Sequence, residues 1–256
     1  MRFSANLGFL FKKFGLCDAI SQAGRAGFDA VEAHWPYETE AMEVAKALAE
    51  MRLPMIGINT PAGDLARGDF GLFAVPGREA EALAGFDMAL AYGEAIGSPM
   101  IHAMAGKAKG QKAEDCFVEM LSEAVARAAA KNFVLLIEPI NRRDVPDYFL
   151  NTVEEAAAII ERVGSDHLRM MFDCYHVANE GGDILARFVR HREIIGHVQF
   201  AAVPDRGAPD HGEVDYSTLL PALTQAGYDG YFGAEYRPEG ETDKSLEWMA
   251  ELNPPD

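Results

Sequence analysis

The sequence predicts a single parallel (β/α)8 barrel spanning residues 1–256, and three features carry that expectation. Strand-like and helix-like segments alternate through eight repeats without a break. The length, 256 residues, suits one closed barrel, in which roughly three quarters of the unfolded chain's surface would be buried. Several apolar runs stop on a carboxylate or an amide, and the C-terminal ends of barrel strands are where such side chains meet.

Residues 2–9 read as the first strand. They look faintly like a signal peptide, but Asn6 interrupts the apolar run, Lys12 and Lys13 follow it, and no small-residue cleavage site is present. A helix over 16–26 opens at Cys17-Asp18 and closes at Gly27. Residues 28–33 are the second strand and 38–52, rich in Ala, Glu and Lys, the second helix. The third strand, 54–59, leads into a loop from 60 to 77 with several Gly, Pro and Asp residues, then a helix over 78–96. Strand four is 99–103 and its helix 113–131. Strand five, from Phe133 to Ile137, is apolar throughout, as a strand buried on both faces of a helix-covered sheet requires. Glu138 follows, and Pro139 biases it to an extended conformation while removing the next ladder donor, so the strand ends there. Thr152 caps a helix running to Val163, with Glu154 and Glu155 in the first turn as the helix dipole prefers. Residues 168–173, 194–200 and 230–235 are strands six to eight, with helices over 183–192, 216–226 and 244–252. The segments Ala26-Gly27-Phe28-Asp29-Ala30 and Ala226-Gly227-Tyr228-Asp229-Gly230 echo one another and support the same helix-to-strand turn twice. The terminal tract 253–256 is expected to fray.

Composition narrows the function. An apolar content of 49% with 25% charged residues is that of a globular protein, and no run of eighteen apolar residues offers a membrane helix. A formal charge of −17 repels phosphate backbones and argues against a nucleic-acid partner, though not against a small anionic metabolite in a locally positive site. Three widely spaced cysteines, Cys17, Cys116 and Cys174, form no metal-type pair and fit a reducing cytoplasm. The sequence allows a homo-oligomer without specifying one. Dinucleotide and phosphate-loop glycine motifs, a Gly-x-Ser-x-Gly elbow and His-Glu-x-x-His are all absent.

The chemistry-bearing candidates lie at strand ends. Glu138, Asp173, Gln199 and Glu235 close strands five to eight, and in a barrel those ends converge. A Glu, Asp, Gln, Glu set is hard and oxygen-rich, suited to Mg²⁺ or Mn²⁺. Any one of these carboxylates could merely cap a loop or pair with a lysine. Together, Glu138 and Glu235 could hold one ion and serve as the two proton-transfer groups. Gln199 in an apolar strand needs a partner if buried. His176, three residues after Asp173 and expected in a loop, can point a donor at a substrate oxygen. Arg206, in the charged loop 204–216, offers a fork for a carboxylate or vicinal hydroxyls. Lys107, in the loop after strand four, is a weaker candidate for the same anion, and Trp35-Pro36-Tyr37 can wall the pocket or pack a helix end.

Several of these segments resemble the hydroxypyruvate isomerases: Ile137-Glu138-Pro139-Ile140-Asn141, Phe172-Asp173-Cys174-Tyr175-His176, Gly196-His197-Val198-Gln199, Gly212-Glu213-Val214-Asp215-Tyr216 and Ala234-Glu235-Tyr236-Arg237-Pro238. The opening residues 2–7 and the Val75-Pro76-Gly77-Arg78-Glu79 loop join the likeness, which runs essentially end to end. That family lies among the xylose isomerase-like barrels, with ketose 3-epimerases and an apurinic endonuclease branch. The resemblance implies a divalent ion held by Glu138, Asp173, Gln199 and Glu235, with Glu138 and Glu235 as the acid/base pair and His176 and Arg206 on the substrate. The epimerases place a histidine at the Gln199 position, so Gln199 favours the isomerase branch. The endonuclease branch needs further histidines for three zinc ions, whereas Asn59 and Gln199 occupy two of the strand ends here.

The expected activity is therefore an aldose–ketose type isomerisation of hydroxypyruvate and 2-hydroxy-3-oxopropanoate, or of a similar small 2-oxo-acid, through an enediolate. The rivals are a 2-oxo-tetronate isomerase or ketose 3-epimerase using the same chemistry, a metal-dependent nuclease, and a non-catalytic sugar-acid-binding barrel.

Overall fold

Eight short strands pair in chain order, each parallel to the next, and the last returns to the first to close a barrel. They are β1 (Phe3–Asn6), β2 (Ala30–Ala33), β3 (Met55–Asn59), β4 (Met100–His102), β5 (Val134–Ile137), β6 (Leu168–Asp173), β7 (Ile195–Phe200) and β8 (Phe232–Ala234). The computed structural model describes residues 1–253, so the tract expected to fray lies, from Pro254 on, outside the described residues.

The connecting helices are α1 (Leu16–Arg25), α2 (Ala41–Met51), α3 (Glu79–Ile96), α4 (Gln111–Ala129), α5 (Val153–Val163), α6 (Cys174–Asn179), α7 (Ile184–His191), α8 (Tyr216–Gln225) and α9 (Glu247–Leu252). Their apolar faces cover outward-pointing strand residues such as Val31, Ile101, Leu135, Phe172 and Val198, all fully buried. Trp248 of α9 packs edge-on against aromatic rings of β1 and β7, with ring centroids 5.1 Å from Phe3 and 5.4 Å from Phe200.

Most boundaries fall where the sequence places them, and the exceptions have local causes. The first strand stops at Asn6 rather than residue 9, because the Asn6 carbonyl accepts from the backbone N–H groups of Phe9 and Leu10 while its side chain accepts from Gly8. Helix α2 starts later than residue 38, since Pro36 opens a separate 3₁₀ turn (Pro36–Glu38) and Thr39 is extended. Helix α1 is capped by Gly15 without a side-chain hydrogen bond, not opened by Cys17-Asp18. Thr152 does build a full capping box with Glu155. Gly27 and Gly227, the matched positions of the echoed segments, have φ of 92° and 97°, a left-handed turn that a side chain would strain.

One element is new. The residues after β6 form helix α6, so His176 sits on a helix rather than in a loop, and the helix is capped by the Asp173 side chain.

Candidate active site

Parallel register decides which side chains enter the barrel. Asp173 pairs with Gln199, Gln199 with Gly233, Asn6 with Glu32, and Asn59 with His102, so these positions face inward together. Glu138 and Glu235 each stand one residue past the last ladder position of β5 and β8. Glu138, Gln199 and Glu235 line one enclosed cavity of about 20 Å³, with Glu32, His102 and His197 on its other walls.

Asp173 joins them from β6. Its Oδ1 accepts from the Tyr175 backbone N–H at 2.9 Å, and its Oδ2 lies 3.6 Å from His176 Nε2 and 3.5 Å from Arg206 Nη2. Ligand atoms of Glu138, Asp173 and His176 all fall within 4.8 Å of one another, so this buried cluster could hold a metal ion. Two oxygens strengthen the fit: Glu138 Oε1 and Gln199 Oε1 are buried without a hydrogen-bond partner. A buried acceptor left unpaired is costly, and a hard cation satisfies such oxygens.

Among the three clustered residues, His176 is the poorest ligand. The Asp144 backbone N–H donates to Asn141 Oδ1 at 2.9 Å, which turns Asn141 Nδ2 toward His176 Nδ1 at 2.6 Å. Nδ1 is thus an acceptor, and the ring proton of the neutral imidazole is on Nε2, facing Glu138 and Asp173 at 3.6 Å each. Burial, then the Arg206 charge, hold His176 well below the usual imidazole range, so it is a neutral donor.

Arg206 supplies the positive charge. Its guanidinium contacts Glu235 Oε2, lies 3.7 Å from Asp144, and is sandwiched between the rings of Phe9 and Tyr175, each 4.9 Å away. It is buried, and its backbone is held at φ 58°, a conformation that costs a non-glycine residue on the order of 1–3 kcal/mol. The site's electrostatics divide around it. Burial would raise Glu235, but Arg206 and His34 outweigh that and hold it down at about 2. Asp173 is lifted by burial to about 7 despite Arg206. Burial, then the Glu235 and Asp173 charges, push Glu138 well above the carboxylate range.

Glu138, Asp173, Gln199, Glu235, His176 and Arg206 are therefore brought together, and Lys107 is not. Lys107 is exposed and lines an outer cleft of about 770 Å³ between α4 and α5.

Several site residues are additional to those expected from sequence. His34 Nε2 and Asn6 Nδ2 contact Glu235 Oε1 at 2.9 and 2.8 Å. His102 Nδ1 lies 3.7 Å from Glu138, and burial takes its imidazole down to about 4. Glu32 lies beneath Gln199. A lone carboxylate in the apolar run Ala30-Val31-Glu32-Ala33 is the signal that could have found it; for Asn6, His34 and His102 there is no such signal, because their carboxylate partners lie at the ends of other strands.

Comparison with known proteins places this geometry. The model for the xylose isomerase-like TIM barrel matches residues 20–252. The chain is 34% identical to hydroxypyruvate isomerase of Escherichia coli K12, covering 97% of this chain and 98% of that protein. It is 40% identical to 2-oxo-tetronate isomerase of Cupriavidus necator, over 97% of both. The crystal structure of AP endonuclease, family 2, from Brucella melitensis superposes with a TM-score of 0.95 at 35% identity and 98% coverage of both chains. The chain is an isomerase and belongs to the hydroxypyruvate isomerase family of xylose isomerase-like TIM barrels.

Proposed function

We propose that the protein interconverts hydroxypyruvate and 2-hydroxy-3-oxopropanoate, with Mg²⁺ or Mn²⁺ held by Glu138, Asp173, Gln199 and Glu235. The observation that carries this reading is the pair of buried, unpartnered oxygens, Glu138 Oε1 and Gln199 Oε1, beside the carboxylates of Asp173 and Glu235. A divalent ion bound there would polarise the substrate's carbonyl and adjacent hydroxyl, a Lewis-acid contribution of several kcal/mol.

The chain's own residues move the proton. One of Glu138 and Glu235 takes a proton from C3 of hydroxypyruvate, leaving an enediolate; a proton is returned at C2 from the other side, and the O3 hydroxyl proton passes to O2, so that C3 becomes the aldehyde and C2 carries the hydroxyl. Each transfer contributes on the order of 10²–10⁴-fold. His176 donates its Nε2–H to a substrate oxygen, and Arg206 presents its fork to the substrate carboxylate. Phe9 and Tyr175 fix the guanidinium plane, which orients the acid before the proton moves. Lys107, at the outer cleft, takes no part. The three cysteines are free thiols, in keeping with a cytoplasmic setting.

A second reading, isomerisation of a 2-oxo-tetronate by the same residues, is favoured by the 40% identity to the Cupriavidus necator enzyme. Incubation with Mg²⁺ in D₂O and either acid, followed by proton NMR, reads deuterium entry at carbon and separates the two substrates. Replacing Glu138 or Glu235 by Gln should lower turnover at least about 10²-fold. Full activity in both variants refutes the mechanism.

A further inference from the structure

We propose that Glu32, a buried carboxylate on β2 below the candidate cation site, is a positioning residue that fixes Gln199 as an oxygen ligand. The proposal rests on the cation reading of that site and goes beyond it. An amide has two faces, and only one can hold a cation: the carbonyl oxygen ligates and the NH₂ repels. In the structure Gln199 Nε2 donates to Glu32 Oε2 at 2.8 Å, which turns Gln199 Oε1 away from Glu32 and leaves it buried and unpartnered. A carboxylate beneath an amide accepts from it and cannot donate to it. Glu32 therefore selects one of two otherwise similar amide orientations.

Glu32 is itself held. Ser4 Oγ donates to its Oε1 at 2.6 Å, and His197 Nε2 lies 3.1 Å from its Oε2 without making a hydrogen bond. Space is reserved for this group by Gly233 on β8, where a Cβ would come within 2.5 Å of Glu32 Oε1, 2.8 Å of Gln199 Cγ and 2.9 Å of His197 Nε2. A glycine here has no conformational reason, because its φ is not in the left-handed region, so the requirement is room for Glu32 and Gln199. The arrangement parallels the carboxylates that orient metal-bound imidazoles, whose loss commonly costs 10–100-fold in metal affinity.

The test is a double-mutant cycle on Mn²⁺ affinity, read by calorimetry and by the electron paramagnetic resonance signal of free Mn²⁺, with the whole chain. Glu32→Gln should weaken Mn²⁺ binding about 10–100-fold, because a neutral amide can present either face to Gln199. Gln199→Ala should weaken it similarly. The double variant should bind no more than about threefold more weakly than Gln199→Ala alone, because Glu32 acts through Gln199. Wild-type affinity in Glu32→Gln, or fully additive losses, overturns the proposal while leaving the cation reading intact. Absence of Mn²⁺ binding by the wild type overturns both. Ser4→Ala is the second variant if Glu32→Gln does not fold: loss of its hydrogen bond to Glu32 should weaken Mn²⁺ about threefold, and an unchanged affinity counts against the proposal.

Discussion

Replacing Arg206 by Met removes the cation around which the acidic site is balanced. The guanidinium contacts Glu235, lies 3.5 Å from Asp173 and 3.7 Å from Asp144, and all but Asp144 are buried. Breaking a buried pair by deleting one partner typically costs about 3–5 kcal/mol, because the remaining charge is left uncompensated. Methionine keeps part of the packing between Phe9 and Tyr175, so the expected loss is about 4 kcal/mol. For a domain of this size each kcal/mol lowers Tm by roughly 2–4 °C, giving a drop of about 8–16 °C in EDTA. Scanning calorimetry with and without millimolar Mn²⁺ measures it. If the cation site is as proposed, added Mn²⁺ restores positive charge beside Glu235 and Asp173 and raises Tm more in Arg206→Met than in the wild type. A loss below about 1 kcal/mol in EDTA, or equal Mn²⁺ shifts in the two proteins, refutes the reasoning.

Further outcomes follow from other parts of the molecule. On the proposed ligand set Asp173, raised to about 7 by burial, and Glu138, pushed above the usual carboxylate range, must both be ionised to ligate, so divalent affinity should fall by at least about tenfold from pH 8 to pH 6, with protons released on binding; calorimetry in two buffers of different ionisation enthalpy counts them, and zero release near pH 6.5 contradicts it. Thr152→Ala removes one arm of the α5 capping box and should cost about 1 kcal/mol in urea unfolding with kcat unchanged. Lys107→Ala should leave kcat and KM within about twofold, since the side chain lines the outer cleft; a large rise in KM would place it on the substrate after all.

The barrel was legible in the sequence because its strands are short, apolar and closed by polar residues. Pro139 marks the end of β5, and Asp173, Gln199 and Glu235 mark the ends of the next three strands. The helices were readable from periodicity and from stops such as Gly27 and Gly227, which adopt left-handed φ. Helix α6 was not, because its six residues are too few to show a period and include Val177 and the aromatic Tyr175. Asn6, His34 and His102 escaped for another reason. Asn6 and His34 meet Glu235 only once β8 closes on β1, and His102 meets Glu138 only through the β4–β5 pairing, so none of these contacts is written in local spacing. The position of Lys107 likewise depends on the path of its loop, which charge and turn residues do not encode.

Asp173 has one oxygen committed to the first turn of α6, through the Tyr175 amide, and one turned into the site. A carboxylate tethered in this way can offer a single oxygen and cannot swing to clasp an ion with both. Calcium, which favours several oxygens at longer range and often a two-toothed carboxylate, would meet a clamp of fixed span and few teeth. Small octahedral ions would not, so in the proposed cation site a helix terminus would set which ion sizes fit.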